Sequence, residues 1–264
     1  RIAAAGSEAA RIEITEAALG RTLGPYKIIL AILVVLVVLI AITQYPHCKP
    51  LNSDAKEAEA SIGETLAYLV KNKMFIGGII TQFFYVGMQT ALWSFTIRLA
   101  LNLDHSLNEK TAANYLIATF IAFFIGKIIA NVLMTKINED VVLLIYSGLG
   151  MITILYIVLA PNFTSVYAAI VASALLGPGW ATIYARNLDT IKDKRFTETG
   201  GAIIVMSIIG GAVIPVVQGF ISDSTGSMRF SFIVNFVCFL AIFIYFVAQY
   251  RSSHKETLTT EATK

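Results

Sequence analysis

Apolar and polar positions along this chain are separated into long blocks. Seven mostly apolar stretches alternate with segments that hold nearly all of the Asp, Glu, Lys and Arg residues. About 20 apolar residues in a helix are enough to cross the ~30 Å hydrocarbon core of a bilayer. The pattern therefore predicts seven transmembrane helices, at residues 26–44, 74–101, 112–135, 141–160, 164–185, 199–222 and 230–250.

The links between these stretches predict how the chain is divided. Most links are short and polar, so we expect successive helices to be antiparallel neighbours in a bundle. The link at residues 46–73 is longer and contains four Lys and four acidic residues. We therefore expect a leading segment at 1–25, one helix at 26–45, a linker at 46–73, a six-helix bundle at 74–250 and a tail at 251–264.

The predicted order is one helix, a long linker and six more helices. This order is expected if the first helix is the last one of a six-helix half and the other six form a complete second half. The chain is accordingly interpreted as the C-terminal piece of a longer protein. Basic residues predict its orientation, because the linker, alternate loops and tail hold about 12 Lys and Arg against three in the intervening loops. The positive-inside rule then places residues 46–73 and 251–264 in the cytoplasm and residues 1–25 outside.

Composition supports a membrane protein and argues against several other classes. Apolar residues make up 56% of the chain and charged residues 14%, and the mean hydropathy is +0.72. The Lys and Arg residues form no basic stripe, so no nucleic-acid partner is predicted. The two Cys and three His residues have no metal-ligand or catalytic spacing, so we expect no metal, no cofactor and no enzymatic activity. Every Asp and Glu falls in a predicted loop or at a span end, so no buried carboxylate is expected.

The second span has a polar stripe suited to a sugar. Its members recur every three or four residues and share one helix face: Gly78, Gln82, Tyr85, Gln89, Trp93 and Thr96. Amides and a Tyr hydroxyl can bond sugar hydroxyls, and the Trp ring can cover the C–H face of a sugar. Alternatively, this face packs against another helix and its amides bond across the bundle. Asn114, Tyr115 and Asn235 are open to the same two interpretations.

Glycine and proline occur at similar depths in two spans. Gly87 lies about thirteen residues into the span that starts at Met74, and Gly177, Pro178 and Gly179 lie equally deep in the span that starts at Thr164. Interrupted helices at corresponding positions of two three-helix units indicate a transporter site near the midplane. We therefore predict helix bends or gates at these four residues; the alternative is that the Gly residues only permit close packing.

Several sequence runs, in order, resemble the fucose:proton symporter family of the major facilitator superfamily. They are YVGMQ at 85–89, WSFTIR at 93–98, AANYL at 112–116, FFIGK at 123–127, IVMSIIGG at 204–211 and GFISD at 219–223. The resemblance extends from about Met74 to Arg251, and the first span resembles the sixth helix of that fold. One departure is Ala181-Thr182-Ile183-Tyr184, where the family often has Pro-Thr-Ile-Phe.

The resemblance implies an all-α transporter of twelve helices in two six-helix halves. It would carry a fucose-like monosaccharide or related hexose with a proton by alternating access, in the inner membrane of a bacterium. This chain would supply the C-terminal half, and the N-terminal half would hold the proton-carrying acids. By motif position, the sugar contacts would be Gln89, Trp93 and Asn114, followed by Tyr85 and Gln82.

Two other functions remain open at this stage. A non-transporting membrane receptor or sensor has the same number of spans, and an uncoupled facilitator for a small solute has the same cavity. The partners expected for the leading interpretation are a sugar, protons, the lipid bilayer and the N-terminal half.

Overall fold

The computed structural model describes residues 8–43 and 61–262, and every regular element in those two ranges is helical. The chain divides into two units, residues 1–57 and 58–264. The first unit contains α1 (Glu8–Ile42). The second contains α2 (Ile62–Lys71), α3 (Lys73–Leu103), α4 (Glu109–Met134), α5 (Glu139–Leu159), α6 (Thr164–Leu175), α7 (Gly179–Leu188), α8 (Thr197–Met206), α9 (Gly210–Thr225) and α10 (Ile233–Ala262).

Six segments of the described chain are long and apolar enough to cross a membrane. They are Lys73–Leu103, Glu109–Met134, Glu139–Leu159, Thr164–Leu188, Lys194–Thr225 and Phe230–Ser252. The all-α prediction is confirmed, and these segments match the last six predicted spans. The apolar part of α1, Tyr26–Ile42, is shorter than these six. Several helices extend beyond the predicted limits, because helices continue past the charged residues that mark the end of an apolar block.

Asparagine side chains begin three of the spanning helices. Asn72, Asn108 and Asn138 precede α3, α4 and α5, and each side chain accepts a hydrogen bond from a backbone N–H in the first turn of its helix. Such caps satisfy donors that the helix itself leaves open. At the other end of a helix, Gly226 terminates α9 with φ +61°, a conformation that glycine adopts readily. The short links predicted from the sequence therefore carry the signals that end and restart the helices.

Helix α3 is the most buried of the six spans and lies at the centre of the second unit. It packs against α4, α7, α9 and α10, while α5 packs against α6 and α10. Fully buried side chains such as Met88, Leu92, Phe239 and Phe246 form the core between these helices. By contrast, α4 exposes a row of large apolar residues that includes Ile117, Phe124 and Ile128. Exposed apolar side chains on a span of this length are typical of a helix in contact with lipid.

Three predicted segments contain more helix than expected. The linker predicted at residues 46–73 contains α2, whose buried side chains Thr65 and Leu69 pack on the bundle; residues 46–60 lie outside the described chain. The tail predicted at 251–264 is helical as far as Ala262, as a continuation of α10. Most of the segment predicted at 1–25 belongs to α1, which begins at Glu8.

Candidate functional site

The span Thr164–Leu188 is interrupted near its middle. Helix α6 ends at Leu175 and α7 begins at Gly179. Pro178 has no N–H group with which to reach the Ala174 carbonyl, which instead accepts from the Gly177 N–H at 3.1 Å. The predicted proline position is therefore where the helix is broken. Residues 176–178 are called the interruption below.

Tyr85 of α3 closes the interruption from the side. Its hydroxyl donates a hydrogen bond of 2.6 Å to the Leu176 carbonyl, which also accepts from the Gly179 N–H at 3.1 Å. Gly179 lies against the Tyr85 ring, where a Cβ atom would overlap the ring carbons. Tyr85 is only 2% exposed, so in this conformation its hydroxyl holds the broken helix and is unavailable to a ligand.

Trp93 makes a second link from α3 to α6. Its Nε1–H donates to the Ser173 hydroxyl at 2.9 Å, and that hydroxyl donates to the Thr119 carbonyl of α4 at 2.9 Å. The edges of Phe120 and Phe123 contact the half-buried indole ring. In this conformation the Trp93 N–H therefore makes a hydrogen bond between helices, as the alternative interpretation of the polar stripe expected. Part of the ring remains exposed.

The amides of the polar stripe have unused hydrogen-bonding capacity. Gln82 is 1% exposed, and neither its Oε1 nor its Nε2 atom has a partner within the described residues. It lies one turn from Gly78, which contacts Asn187 of α7, and one turn from Tyr85. Gln89 is half-buried, and no hydrogen bond to its side chain occurs in the described chain; Asn114 is exposed on α4.

Gly87 lies within a helix that is not interrupted. Helix α3 is continuous from Lys73 to Leu103, and Gly87 instead allows α9 to approach, since a Cβ atom would overlap Ile214 and the Gly210 carbonyl. Gly177 has a similar packing role, because its α-carbon faces the backbone N of Lys127 on α4. The packing interpretation thus accounts for Gly87, and Gly177 combines close packing with a position in the interruption.

Sequence reasoning missed a second irregularity, in the span Lys194–Thr225. A turn of 3-10 helix at Ser207–Ile209 separates α8 from α9. It contains no proline, and the adjacent Gly210 packs directly on the Phe83 carbonyl of α3. Its local signals are the Gly210-Gly211 pair, which cannot be distinguished in sequence from ordinary close packing, and Pro215 of α9, which has no N–H group for the Gly211 carbonyl.

Two further amides pair with each other. Asn235 of α10 donates from Nδ2 to the Gln218 Oε1 atom of α9 at 2.8 Å, and both residues are fully buried. Of the two interpretations given for Asn235, hydrogen bonding between helices is therefore the one seen.

The expectation of no buried carboxylate is wrong for Asp140. Its side chain is fully buried and accepts two hydrogen bonds from Arg186 of α7, at 2.9 Å to Oδ1 and 2.6 Å to Oδ2. Arg186 also lies 3.8 Å from Asp189. Asp140 was predicted to lie at a span end, where it is found, but its burial depends on the approach of α7. In the described chain no group of three or more His, Cys, Asp and Glu residues is arranged to hold a metal.

The link between α7 and α8 adds charge at the same end of the bundle. Arg195 donates to Asp193 through Nη2 at 2.8 Å, and this hydrogen bond holds the pKa of Asp193 below its usual value. Asp193 is therefore ionised at neutral pH, and the link carries charges of both signs.

The sequence model of the Major Facilitator Superfamily matches residues 100–264. The L-fucose-proton symporter of Escherichia coli is 33% identical over 229 residues, which are 86% of this chain and 51% of that protein. The L-fucose-proton symporter of Haemophilus influenzae is 28% identical over 90% of this chain and 55% of that protein. A putative glucose/galactose transporter of Helicobacter pylori is 25% identical over 74% of this chain and 48% of that protein.

The fold is also similar to solved structures. A crystal structure of the E. coli fucose:proton symporter aligns with a TM-score of 0.74 and 32% identity, over 86% of this chain and 54% of that one. A second, of a Major Facilitator Superfamily transporter in the outward conformation, gives a TM-score of 0.73, 32% identity and coverage of 85% and 54%. The chain spans about half the length of the relatives that it matches. These matches and the six apolar helices identify an integral membrane protein.

Proposed function

This chain belongs to the Major Facilitator Superfamily, and we propose that it is the C-terminal half of a transporter that carries a monosaccharide with a proton by alternating access. In this proposal residues 74–250 form the C-terminal bundle and residues 26–45 the sixth helix of the whole protein. Residues 46–73 link the two halves in the cytoplasm, 251–264 form a cytoplasmic tail and 1–25 lie outside. The membrane is the inner membrane of a bacterium, and the partner is the N-terminal half.

The observation that carries the proposal is the interrupted span beside a polar helix. The interruption lies at residues 176–178 of the span Thr164–Leu188, near the midplane, and α3 faces it with Tyr85, one turn from Gln82. Discontinuous helices at the midplane are typical of substrate sites in secondary transporters. The relatives that transport fucose, glucose or galactose support a monosaccharide as the substrate.

The residue roles follow from hydrogen-bonding capacity. Gln82 and Gln89 have amide groups without partners in the described chain, so we assign the sugar hydroxyls to them; Gln82, which is buried in this conformation, meets the sugar in another state of the alternating-access cycle. Trp93 offers the exposed part of its ring, and Asn114 offers an exposed amide on the neighbouring helix. Tyr85 is a positioning residue that supports the interruption. Gly177, Pro178 and Gly179 are the pivot of the gate.

In this proposal the acids that carry the proton lie outside the described part of this chain. Asp140 is the one buried acidic residue among those whose side chains are described, and its carboxylate is bonded to Arg186. Because both of its carboxylate oxygens already accept hydrogen bonds from Arg186, we assign Asp140 a structural role. The proposal therefore assigns the proton-carrying acids to the N-terminal half.

The test is uptake by vesicles that contain the natural protein of which this chain is part. Labelled fucose, galactose, glucose and mannose are supplied with and without an inward proton gradient. We expect one sugar to accumulate above equilibrium only with the gradient. Equal uptake with and without the gradient would contradict coupling and favour an uncoupled facilitator. No uptake of any of the four would contradict the sugar assignment.

The variants Gln82→Leu and Gln89→Ala test the site. Each should reduce uptake by about 5- to 150-fold, because a sugar hydroxyl that loses its amide partner weakens binding by about 1–3 kcal/mol. The control is Tyr245→Phe, which removes a buried hydroxyl without a partner from outside the polar stripe. The control should transport normally. Normal uptake by both glutamine variants, at normal levels in the membrane, would refute the site.

A further inference from the structure

A cavity of about 700 Å³ lies where α2, α3, α7 and α10 meet. Its wall includes Lys71, Asn72, Arg186, Lys192 and Gln249. These residues lie at the ends of the spans Lys73–Leu103, Thr164–Leu188 and Phe230–Ser252, or in the links next to them. The cavity is therefore at the level where the apolar part of the bundle meets the polar interface, far from the interruption.

Hydrogen bonds and ring contacts hold the walls of this cavity in place. Asn72 lies between α2 and α3, and its Nδ2 atom donates to the Thr190 carbonyl in the link after α7 at 2.8 Å. Its Oδ1 atom accepts from the Phe75 N–H at 3.1 Å. The Tyr68 ring of α2, which also lines the cavity, stacks on Phe196 with ring centres 4.4 Å apart. The cavity is thus a formed feature of the second unit.

The wall is basic and rich in neutral donors. Three basic side chains, those of Lys71, Arg186 and Lys192, face one acidic side chain, that of Asp189. Arg186 is anchored between Asp140 and Asp189, while Lys71 and Lys192 are exposed. Basic groups with neighbouring amide and hydroxyl donors are suited to a phosphate group. Basic pockets between transmembrane helices at the cytoplasmic side bind anionic lipid headgroups.

Helix α2 has an exposed apolar side as well as the side that lines the cavity. Its buried side is formed by Thr65 and Leu69, whereas Leu66 and Val70 are 45% and 67% exposed. Leu66 and Val70 lie one turn apart and form an exposed apolar stripe on the other side of α2 from Tyr68 and Lys71, which line the cavity. A helix with an exposed apolar stripe and basic residues beside it is typical of a helix lying in the membrane interface.

From this arrangement we propose that the cavity binds the phosphate group of an anionic phospholipid. Lys71 and Lys192 contact the phosphate, Asn72 and Gln249 donate to its oxygens or to the glycerol, and the acyl chains extend into the bilayer. The site is separate from the sugar site, and its occupancy does not depend on transport.

Native mass spectrometry of the natural protein with added phosphatidylglycerol tests the proposal in the absence of sugar. The double variant Lys71→Gln, Lys192→Gln should bind this lipid more weakly, roughly fivefold for each lysine removed. Lys136→Gln is the matched control, since Lys136 lies in the link between α4 and α5, outside the cavity. The control should bind the lipid normally. The charge-retaining variant Lys71→Arg, Lys192→Arg should also keep its affinity.

A second arm distinguishes a lipid from a free phosphate. Inorganic phosphate carries the same recognised group but lacks acyl chains, so we expect it to displace phosphatidylglycerol poorly. Displacement by inorganic phosphate at concentrations similar to those of the lipid would overturn the lipid assignment. Unchanged lipid affinity in the Gln double variant, an equal loss in Lys136→Gln, or a loss in the Arg double variant would overturn the site.

Discussion

The interruption and the charged C-terminal end of α7 differ in how completely their buried polar groups are hydrogen-bonded. Both are places where α7 brings polar groups into the bundle. At the charged end, Asp140 receives two hydrogen bonds from Arg186, so both carboxylate oxygens are satisfied. Near the interruption, Tyr85 satisfies the Leu176 carbonyl, but Gln82 is buried with both amide atoms unpartnered. Satisfied polar groups stabilise a structure, whereas unsatisfied ones are available for a ligand or water.

The comparison predicts that changes at the charged end alter stability and that changes at Gln82 alter uptake. All of the following measurements use the natural protein that contains this chain. Unfolding free energies are obtained by denaturant titration in detergent micelles.

The largest expected effect is that of Arg186→Met. This variant leaves the fully buried Asp140 carboxylate without its ion-pair partner, so the free energy of unfolding should fall by about 3–5 kcal/mol. The double variant Arg186→Met, Asp140→Leu should recover most of the loss, because no buried charge remains. Arg195→Met is the control, since Arg195 and Asp193 form a partly exposed pair, which contributes little to stability, and it should lower the unfolding free energy far less than Arg186→Met. A loss in the double variant as large as in Arg186→Met would contradict this explanation.

A smaller loss is expected for Tyr85→Phe. The Leu176 carbonyl would keep its bond from the Gly179 N–H but lose the Tyr85 hydroxyl, at a cost of about 1 kcal/mol. Tyr245→Phe is a matched comparison, because the Tyr245 hydroxyl is buried without a partner in the described chain. Tyr245→Phe should be neutral or slightly stabilising. Equal losses in the two variants would show that the bond to Leu176 contributes nothing.

The smallest expected change in stability is that of Gln82→Leu. Replacing a buried, unpartnered amide by an apolar side chain of similar size removes a desolvation penalty, so the unfolding free energy should stay the same or rise slightly. The same variant is expected to lose uptake. A loss of several kcal/mol would instead indicate that Gln82 has a structural partner, and the contrast with Asp140 would disappear.

The positions of the helices were largely predictable, for a physical reason. The last six predicted spans correspond to six membrane-capable helices, because a run of apolar residues long enough to cross a bilayer is a strong local signal. Pro178 is likewise a local signal, since a residue without an N–H group removes a hydrogen bond from the helical pattern; Pro215, by contrast, lies inside α9 without interrupting it, so the surroundings decide whether the helix breaks. The family resemblance, carried by short motifs in order, is also confirmed by the comparisons.

The partners of individual side chains were not predictable in the same way. The residues of the polar stripe share one face of α3, as the spacing requires, yet Tyr85 bonds a carbonyl, Trp93 bonds a serine and Gln82 bonds nothing in the described chain. Gly87 and Gly177 are both glycines within predicted spans, but only Gly177 is followed by a proline. Helix spacing specifies a direction for each side chain, while its partner depends on which helix lies opposite.

By itself, therefore, the sequence determined the helical class, the six long apolar helices, the candidate break at Pro178 and the face shared by the polar residues, because each of these depends on neighbours within a few positions. The tertiary structure alone decided that Asp140 is buried by Arg186, that α9 approaches α3 closely at Gly87, and that Lys71 and Lys192 line one cavity. These features join residues that are 46 or more positions apart in sequence or depend on how closely two helices approach. The packing of the whole bundle decides which distant residues meet and how closely two helices approach, and no local sequence pattern encodes that packing.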